Sequence, residues 1–475
     1  MSNIQVTRSP IDNSIYVERD LATQVEVKQA VQLAHSAQIK WRQSSLEQRA
    51  VYCHAMVDIL LSKSDEIAEQ LCWMMGRPIR YGKGEITGMA ERARFMITEA
   101  QYALTDIKLA DKPGFIRYIK REPLGVVFII APWNYPYLTA INSIVPAIMA
   151  GNTVLLKHSE QTPLCGEQFA NAFAQAGLPL SVPDGIFQNL YLSHENTEKL
   201  IKQPLVNYVA FTGSVAGGDM VEHAASGRFI GVGLELGGKD AAYIRADANI
   251  AEAVASCVDG AFFNSGQSCC AIERIYVHSD VYDDVIEQVV SSVKDYKLGR
   301  SDEFATTLGP LVKADNADFV REQIADAIYA GAKAHINPDI FPLNKAGSAY
   351  LAPQVLTQVN HNMSVMMDES FGPVVGIMKV RDDEEAVSLM NDSAFGLTAA
   401  IFTHDIKQGI TLGEQLEVGT FFINRCDYLD PALPWTGIKN SGRGCTLSSF
   451  GYAALTRAKS FHIKLTNAEP EVAGE

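Results

Sequence analysis

The feature that most restricts the fold is a repeated order of strand, turn and helix that begins at residue 124. The buried strand LGVVFIIA (124–131) leads into a helix, and NTVLLK (152–157) and VNYVAFTG (206–213) each lead into a polar turn and another helix. Strands joined in this way form right-handed βαβ units in a parallel sheet. The sequence therefore predicts an α/β fold with ligands at the carboxyl ends of the strands.

The same alternation returns in the second half of the chain. From residue 239 onward, DAAYIRA (240–246), VVGIMKV (374–380) and LTAAIFT (397–403) are typical of buried strands, and helical patterns separate them. This predicts a second α/β domain. Before the first strand, apolar residues recur at helical spacing over 22–104, which predicts amphipathic helices that pack on another layer.

Two segments outside these domains have strand character. PGFIRYIKREPLG (113–125) predicts a β-hairpin arm that pairs with another chain or domain, and TRAKSFHIKL (456–465) has a strand-like alternation. We expect the polar tail 466–475 to be frayed.

The charge and hydropathy of the chain exclude several classes of function. A net charge of −15 over 475 residues, with no basic cluster, argues against nucleic acid or an anionic membrane as partner. No apolar run approaches the ~18 residues of a membrane span, and the N-terminus lacks a signal-peptide pattern. We therefore expect a cytoplasmic protein that acts in metabolism.

The eight cysteines are scattered without a CxxC pair. This pattern suits neither a disulfide framework nor a zinc ribbon, so we predict reduced thiols and no metal site. Cys165 and Cys257 lie in helical patterns that are typical of packing faces.

One cysteine stands out together with a carboxylate. Glu235 and Cys269 each have Gly-rich turns beside them, and no histidine is near either in the sequence. Cysteine hydrolases normally take their base from imidazole, so a base for Cys269 would have to be Glu235. A cysteine in a polar turn such as NSGQS (264–268) is more accessible than one on an apolar face, although a single cysteine is more often structural.

The residues GSVAGG (213–218) follow a strand and could bind a phosphate through backbone N–H groups at a helix N-terminus. The alternative is a tight turn, since glycine is common there and no GxGxxG fingerprint is present. Likewise, KHSE (157–160) could be a solvated loop.

In combination, seven motifs resemble the aldehyde dehydrogenase superfamily in its NAD(P)-dependent, hydrolytic branch, and the likeness covers nearly the whole chain. They are PWNYP (132–136), GNTVLLKHSE (151–160), FTGS (211–214), LELGGK (234–239), NSGQSCC (264–270), ESFGPV (369–374) and SGRG (441–444). The resemblance implies a Rossmann-like cofactor domain (1–112 and 125–236), an α/β catalytic domain (237–448) and a small bridging β element (113–124 and 449–475). That element would build a homodimer or homotetramer.

The resemblance also assigns roles. Cys269 would be the nucleophile that attacks an aldehyde and passes through a thiohemiacetal and a thioester. The Asn134 amide and the backbone N–H of Cys269 would bind the oxyanion, and Glu235 would activate the hydrolytic water. The cofactor residues implied are Lys157 and Glu160 at the adenosine ribose, Gly213 and Ser214 at the pyrophosphate, Glu369 and Phe371 at the nicotinamide, and Trp133 nearby.

The cofactor prediction depends on Glu160. A carboxylate there accepts bonds from both ribose hydroxyls and repels a 2′-phosphate, so we predict NAD over NADP. His158 departs from the family's usual proline and would loosen or re-aim the loop that bears Glu160.

The substrate is less constrained. The resemblance places the loop 424–435 at the substrate entrance, with Trp133, Tyr137 and Phe263. Arg425 could hold the carboxylate of a semialdehyde, or it could pair with Asp427 and contact no ligand. Two alternatives remain: a CoA-acylating enzyme, against which the presence of Glu235 counts, and a non-catalytic protein, against which the retention of Asn134, Glu235 and Cys269 counts.

Overall fold

The computed structural model describes residues 4–465, so the predicted frayed tail lies outside the described residues. The chain opens with an antiparallel pair of strands and four helices. They are β1 (Ile4–Arg8), β2 (Ile15–Asp20), α1 (Gln24–Trp41), α2 (Leu46–Ser62), α3 (Ser64–Met75) and α4 (Ile79–Ala103). Thr23 and Ser45 begin α1 and α2 with capping boxes, in which side chain and backbone exchange hydrogen bonds.

The first large sheet contains the strands predicted from residue 124 onward. The chain here runs through β3 (Ile107–Lys108), β4 (Phe115–Pro123), β5 (Val126–Ile130), α5 (Pro136–Met149), β6 (Thr153–Lys157), α6 (Pro163–Gly177), β7 (Phe187–Asn189), α7 (His194–Ile201), β8 (Val206–Thr212), α8 (Val215–Ala225) and β9 (Gly231–Glu235). Strands β9, β8, β5, β6 and β7 are neighbours in that order, and all are parallel. Their carboxyl ends therefore share one edge.

The second large sheet is also mainly parallel, in the order β12-β13-β14-β11-β10-β16-β17 with only β12 antiparallel. Its elements are β10 (Asp240–Ile244), α9 (Ile250–Phe262), β11 (Ile272–His278), α10 (Tyr282–Lys294), α11 (Ala314–Tyr329), β12 (Lys333–Ala334), β13 (Gln354–Thr357), α12 (Ser364–Met367), β14 (Val374–Val380), α13 (Asp383–Asn391), β15 (Phe395–Gly396), β16 (Thr398–Phe402), α14 (Ile406–Gly413) and β17 (Thr420–Ile423). The predicted α/β fold is confirmed by these two sheets.

The chain then returns to earlier parts of the fold. Its last elements are β18 (Ile438–Lys439), β19 (Gly442–Arg443), α15 (Ser448–Ala454) and β20 (Thr456–Lys464). Strand β18 pairs with β15, and β19 adds to the first sheet antiparallel to β9. Strand β20 pairs with the whole of β4, so the segment predicted as a hairpin arm is one nine-residue strand with only the two-residue β3 on its other side.

Each large sheet has buried apolar side chains on both faces, as parallel sheets require. The helices α2 to α6 close one face of the first sheet with a core that includes Trp41, Met56, Phe169 and Tyr452. Within residues 4–465, no helix is long and apolar enough to cross a membrane.

Candidate active site

The turn that carries Cys269 begins where α9 ends. Residues 264–266 have successive φ angles of 53, 58 and 72°, a left-handed path that is unfavourable for side chains other than glycine. Ser265 Oγ donates to the Gly309 carbonyl at 2.8 Å, and Gln267 Nε2 donates to the Asn264 carbonyl at 3.1 Å. These buried bonds fix the strained turn.

Asn134 lies beside this turn. Its side-chain Nδ2 donates at 3.2 Å to the carbonyl of Gln267, two residues before the partly exposed Cys269. The backbone carbonyl of Asn134 accepts from Arg77 Nη2 at 2.7 Å and from Asn264 Nδ2 at 3.2 Å, so its position is fixed. An amide nitrogen carries two N–H groups, and the second remains for an oxygen bound at Cys269.

Glu235 ends β9, at the carboxyl edge of the first sheet. Its carboxylate accepts from Thr446 Oγ1 at 2.5 Å and from Thr212 Oγ1 at 2.8 Å. Burial raises the pKa of Glu235, and these two donors oppose the rise because they stabilise the charged form. A carboxylate with a raised pKa is a stronger base, which suits proton abstraction near neutral pH.

Gly237 and Gly238 lie where the segments that carry Glu235, Cys269 and Glu369 meet. A Cβ at Gly237 would lie 2.2 Å from Glu369 Oε1, and a Cβ at Gly238 would lie 2.5 Å from the carbonyl oxygen of Cys269. The backbone N–H of Gly238 donates to Glu369 Oε1 at 3.0 Å. The segments of Glu235, Cys269 and Glu369 therefore meet at these glycines, where no side chain fits.

A buried ion pair supports the segment around Glu369. Lys239 Nζ contacts Glu273 Oε2 at 2.5 Å and donates to Ser370 Oγ at 3.1 Å. Glu273 in turn accepts from the backbone N–H groups of Ser370 and Phe371, each at 2.8 Å. The pair thereby holds Phe371 at a φ of 50°.

The rings of Phe371 and Trp133 pack edge to face, with centroids 5.6 Å apart and planes at 81°. Burial and the nearby Glu273 carboxylate raise the pKa of Glu369 to about 7. This places two aromatic surfaces and a carboxyl group close to Cys269, an arrangement that fits a flat ring with an attached sugar.

The other predicted cofactor-binding residues, Gly213, Ser214 and Lys157, lie along the carboxyl edge of the first sheet. Ser214 begins α8 and accepts from the Gly217 N–H at 3.1 Å, while the Gly213 N–H donates to the Glu235 carbonyl at 3.0 Å. Lys157 ends β6, makes only a 3.4 Å bond to a neighbouring carbonyl, and forms no ion pair with any residue of 4–465. Burial lowers its pKa. A lysine with free donors and a helix N-terminus on one edge fit the phosphates and hydroxyls of a dinucleotide.

Glu160 has a partner at the protein surface. Its side chain is 61% exposed, and its Oε1 lies 3.2 Å from Lys313 Nζ. The neighbouring His158 is buried, its Nε2 lies 3.2 Å from the Pro136 carbonyl, and its Nδ1 accepts from the Ser159 N–H at 3.0 Å. His158 therefore anchors this loop instead of loosening it.

Arg77 was not among the predicted site residues, and Asp427 was considered only as a partner of Arg425. Arg77 is buried, forms an ion pair with Glu85 and fixes Asn134. Asp427 turns inward, where its Oδ1 accepts from Cys270 Sγ at 2.9 Å and from Ser268 Oγ at 3.2 Å. Burial raises the pKa of Asp427 to about 7.

Arg425 does not form the ion pair with Asp427 that was considered for it. Its guanidinium lies 3.8 Å from the ring centroid of Tyr428, on the exposed surface. Asp427, two residues further along, faces the interior, and within residues 4–465 it forms no ion pair with Arg425.

Comparison with known proteins identifies the family. Residues 2–461 match the sequence model of the aldehyde dehydrogenase family. This chain belongs to the aldehyde dehydrogenase family. The predicted resemblance and the predicted architecture of the aldehyde dehydrogenases, a Rossmann-like domain with a catalytic α/β domain, are thereby confirmed.

Three relatives show its place among the aldehyde dehydrogenases. An aldehyde dehydrogenase of Paenarthrobacter nicotinovorans is 34% identical over 444 residues, which cover 93% of this chain and 95% of that protein. The succinate-semialdehyde dehydrogenase [NADP(+)] of Mycobacterium avium (strain 104) is 33% identical over 445 residues, 93% of each chain. The structure of succinic semialdehyde dehydrogenase from Streptococcus pyogenes with NADP+ has 28% identity and a TM-score of 0.91, and the match covers 97% of this chain and 100% of that one.

The predicted preference for NAD over NADP is wrong. The Mycobacterium avium relative carries NADP(+) in its name, and the Streptococcus pyogenes structure holds NADP+ as the cofactor. The prediction assumed that Glu160 presents an unpaired negative charge to a 2′-phosphate. Because Lys313 lies beside its carboxylate, that assumption fails.

Proposed function

We propose that this protein oxidises a semialdehyde to the corresponding carboxylic acid with NADP+ as hydride acceptor. The observation that carries the proposal is the meeting of three segments at Cys269, which is partly exposed beside the Asn134 amide and the Gly238 backbone. The substrate class and the cofactor are supported by the names of the two succinate-semialdehyde dehydrogenases above.

In the first step the Cys269 thiolate attacks the aldehyde carbon, and the π electrons of the carbonyl move to its oxygen. The product is a thiohemiacetal oxyanion. The free N–H of Asn134 and the backbone N–H of Cys269 donate to this oxygen as its charge develops, and one such donor is worth roughly 3 to 4 kcal/mol. Arg77 keeps Asn134 in place for this.

A bound nicotinamide would supply the acceptor for a hydride from the thiohemiacetal carbon, and Cys269 would then carry the substrate as a thioester. The chain's own contribution is to orient that ring. Trp133 and Phe371 would hold that ring between aromatic surfaces, and Glu369 would accept from the adjoining ribose. Lys157 and the N-terminus of α8 would donate to the rest of the dinucleotide.

Glu235 completes the turnover. Its carboxylate takes a proton from water, the water oxygen attacks the thioester carbon, and the Cys269 thiolate leaves as the carboxylic acid forms. The raised pKa of Glu235 makes it basic enough for this task, and Thr212 and Thr446 hold it at the site between turnovers.

The test is NADPH formation by purified protein with succinic semialdehyde, with and without CoA. We expect turnover without CoA that is lost in Cys269→Ala and retained in Cys72→Ala, a buried cysteine among the N-terminal helices. NADPH that appears only with CoA would contradict the role of Glu235. Absence of turnover with every aldehyde and with both NADP+ and NAD+ would overturn the proposed function.

A further inference from the structure

A small cavity lies beside Glu235, between the first sheet and the C-terminal return of the chain. Its walls come from β8, β9, α5, α15 and the segment 443–446, and the Glu235 carboxyl group is part of them. The space open to the centre of a water molecule is about 20 Å³. Since one water needs roughly 10 to 15 Å³, the cavity has room for at least one.

Two glycines of β9 make room for a tyrosine on the same face of the sheet as Glu235. In the pairing of β8 with β9, Tyr208 lies opposite Gly231 and Thr212 lies opposite Glu235. Gly231, Gly233 and Glu235 share one face because side chains alternate along a strand. A Cβ at Gly231 would lie 2.8 Å from the Tyr208 ring, and one at Gly233 would lie 2.5 Å from the Tyr208 hydroxyl. The tyrosine therefore lies over these glycines.

Two hydroxyl groups of the cavity walls have no partner in the protein. Tyr208 and Ser143 are each 8% exposed and line the cavity, yet neither hydroxyl forms a hydrogen bond within residues 4–465. Buried polar groups are normally satisfied by protein or by ordered water. Together with the Glu235 carboxylate and the Cys445 thiol, these hydroxyls give a water molecule the three or so partners that buried waters have.

The cavity also reaches the outer surface. Arg443 lines it, and the side chain of Arg443 is 58% exposed and pairs with Glu222 of α8 at 2.6 Å. Thr212 and Thr446, which donate to the two carboxylate oxygens of Glu235, belong to the walls as well. The walls of one cavity thus include both the carboxylate and a side chain in contact with solvent.

Glu235 needs such a connection in the proposed hydrolysis. It takes one proton from the attacking water in each turnover, and it must be ionised again before it can act on the next thioester. The cavity offers an exit for that proton that does not pass through the space where the acid product and the dinucleotide are held.

We propose that water in this cavity, together with the Tyr208 hydroxyl, carries the proton of Glu235 to the surface at Arg443. The carboxyl O–H bond breaks as its proton passes to the water, and the water passes another proton to the Tyr208 oxygen. The Tyr208 hydroxyl releases its own proton toward the solvent. Glu235 regains its charge, one proton appears in bulk water, and no group is oxidised or reduced.

Tyr208 acts through Glu235 and touches no substrate, so the inference rests on the proposed function. Burial and the charge of Glu235 raise the pKa of Tyr208 to about 12. The hydroxyl therefore keeps its proton between turnovers and is ready to pass it on.

The test compares Tyr208→Phe with wild type on succinic semialdehyde and NADP+, in the first turnover and in the steady state. Glu235 starts ionised, so the first NADPH forms before any proton must leave. We expect the rate of this first turnover to stay within twofold and kcat to fall about tenfold. Tyr52→Phe is the matched control, because Tyr52 is a buried tyrosine that packs on Trp41 and Phe173. It should change neither rate.

Two readouts separate proton transfer from a structural role. The solvent isotope effect on kcat should rise in Tyr208→Phe, because proton exit then limits turnover, and imidazole buffer should restore part of kcat in this variant alone. Gly233→Ala, which keeps the tyrosine but displaces its hydroxyl, should show the same pattern. Equal losses in the first turnover and in kcat, an unchanged kcat, or an isotope effect equal to that of wild type would overturn the proposal.

A third readout needs neither cofactor nor aldehyde. 4-Nitrophenyl acetate acylates a reactive thiolate directly, and hydrolysis of the resulting thioester needs the same base. Tyr208→Phe should keep the first release of nitrophenolate and slow the steady release about tenfold. If this holds while no aldehyde is oxidised, the proposed function fails and the proton path stands. If aldehydes are oxidised but Tyr208→Phe behaves like Tyr52→Phe, the path fails and the function stands. If neither ester nor aldehyde is turned over, both fail.

Discussion

Gly238 lies so close to the carbonyl oxygen of Cys269 that a Cβ at position 238 would be 2.5 Å from that oxygen. The same glycine donates its N–H to Glu369. The spacing of the predicted nucleophile and the predicted nicotinamide-binding carboxylate is therefore set by a residue without a side chain.

We expect Gly238→Ala to lower kcat by about a hundredfold, because the methyl group must push the Cys269 backbone away and misplacements near 1 Å have that effect. Steady-state kinetics together with thermal unfolding check this. Gly84→Ala in α4 is the control, since a Cβ there meets no atom within 4 Å. A Gly238→Ala variant that folds normally and keeps the wild-type kcat would contradict this account of the site.

Thr446→Val should move the acid limb of kcat to higher pH by about one unit. Glu235 must be ionised to act as a base, so activity falls as the pH drops through its pKa. Thr446 stabilises the ionised form, and without that donor the pKa rises further above its usual value. The measurement is kcat against pH for a substrate limited by thioester hydrolysis. Thr436→Val, which removes a bond to the Gly444 carbonyl instead, should leave the profile in place.

Lys313→Gln should weaken use of NADP+ relative to NAD+. The substitution leaves the Glu160 carboxylate without its partner, so its charge acts fully on a 2′-phosphate. Because the Lys313–Glu160 pair is exposed, we expect the ratio of kcat/KM with NADP+ to kcat/KM with NAD+ to fall by only about threefold. Lys333→Gln, another exposed lysine, should leave the ratio unchanged. A ratio that rises for Lys313→Gln would count against the explanation given for Glu160.

His158 should make the protein less stable as the pH falls below 6.5. Burial lowers its folded pKa from 6.5 to about 4, so between these values the unfolded chain binds a proton that the native ring excludes. His158→Gln loses the buried bonds and should be less stable at pH 7, but the gap to wild type should narrow by about 2 kcal/mol at pH 5. Urea unfolding at both pH values measures the gap. A gap independent of pH would show that the ring is not held neutral.

The two large sheets could be predicted because parallel strands covered on both faces are continuous apolar runs. VNYVAFTG, for example, matches β8 to within a residue. The edge strand β19 could not be predicted from the sequence, because its two residues carry no hydrophobic pattern and pair with β9 only through the backbone. Residues 115–123 of the arm predicted at 113–125 form the single strand β4, whose hairpin partner β3 has only two residues. Its main partner is β20, far along the chain, which the resemblance but not the local pattern indicated.

In the candidate site, too, some residues could be predicted from the sequence and others could not. Asn134, Glu235 and Cys269 were predicted from the resemblance, and their roles stay predictions. Thr212 had a usable signal, since it lies opposite Glu235 in the parallel pair of β8 and β9. No sequence signal indicated Thr446. It reaches Glu235 only because the chain returns to the first sheet through β19.

The pairing of β4 with β20 also governs when the protein can finish folding. Both large sheets are encoded between these two strands, so during synthesis each sheet can form while β4 still has only β3 as a neighbour. Domains generally fold as units during synthesis, and an unpaired strand edge is prone to join another chain. Until β20 has been synthesised, the long edge of β4 is therefore open to pairing with another chain.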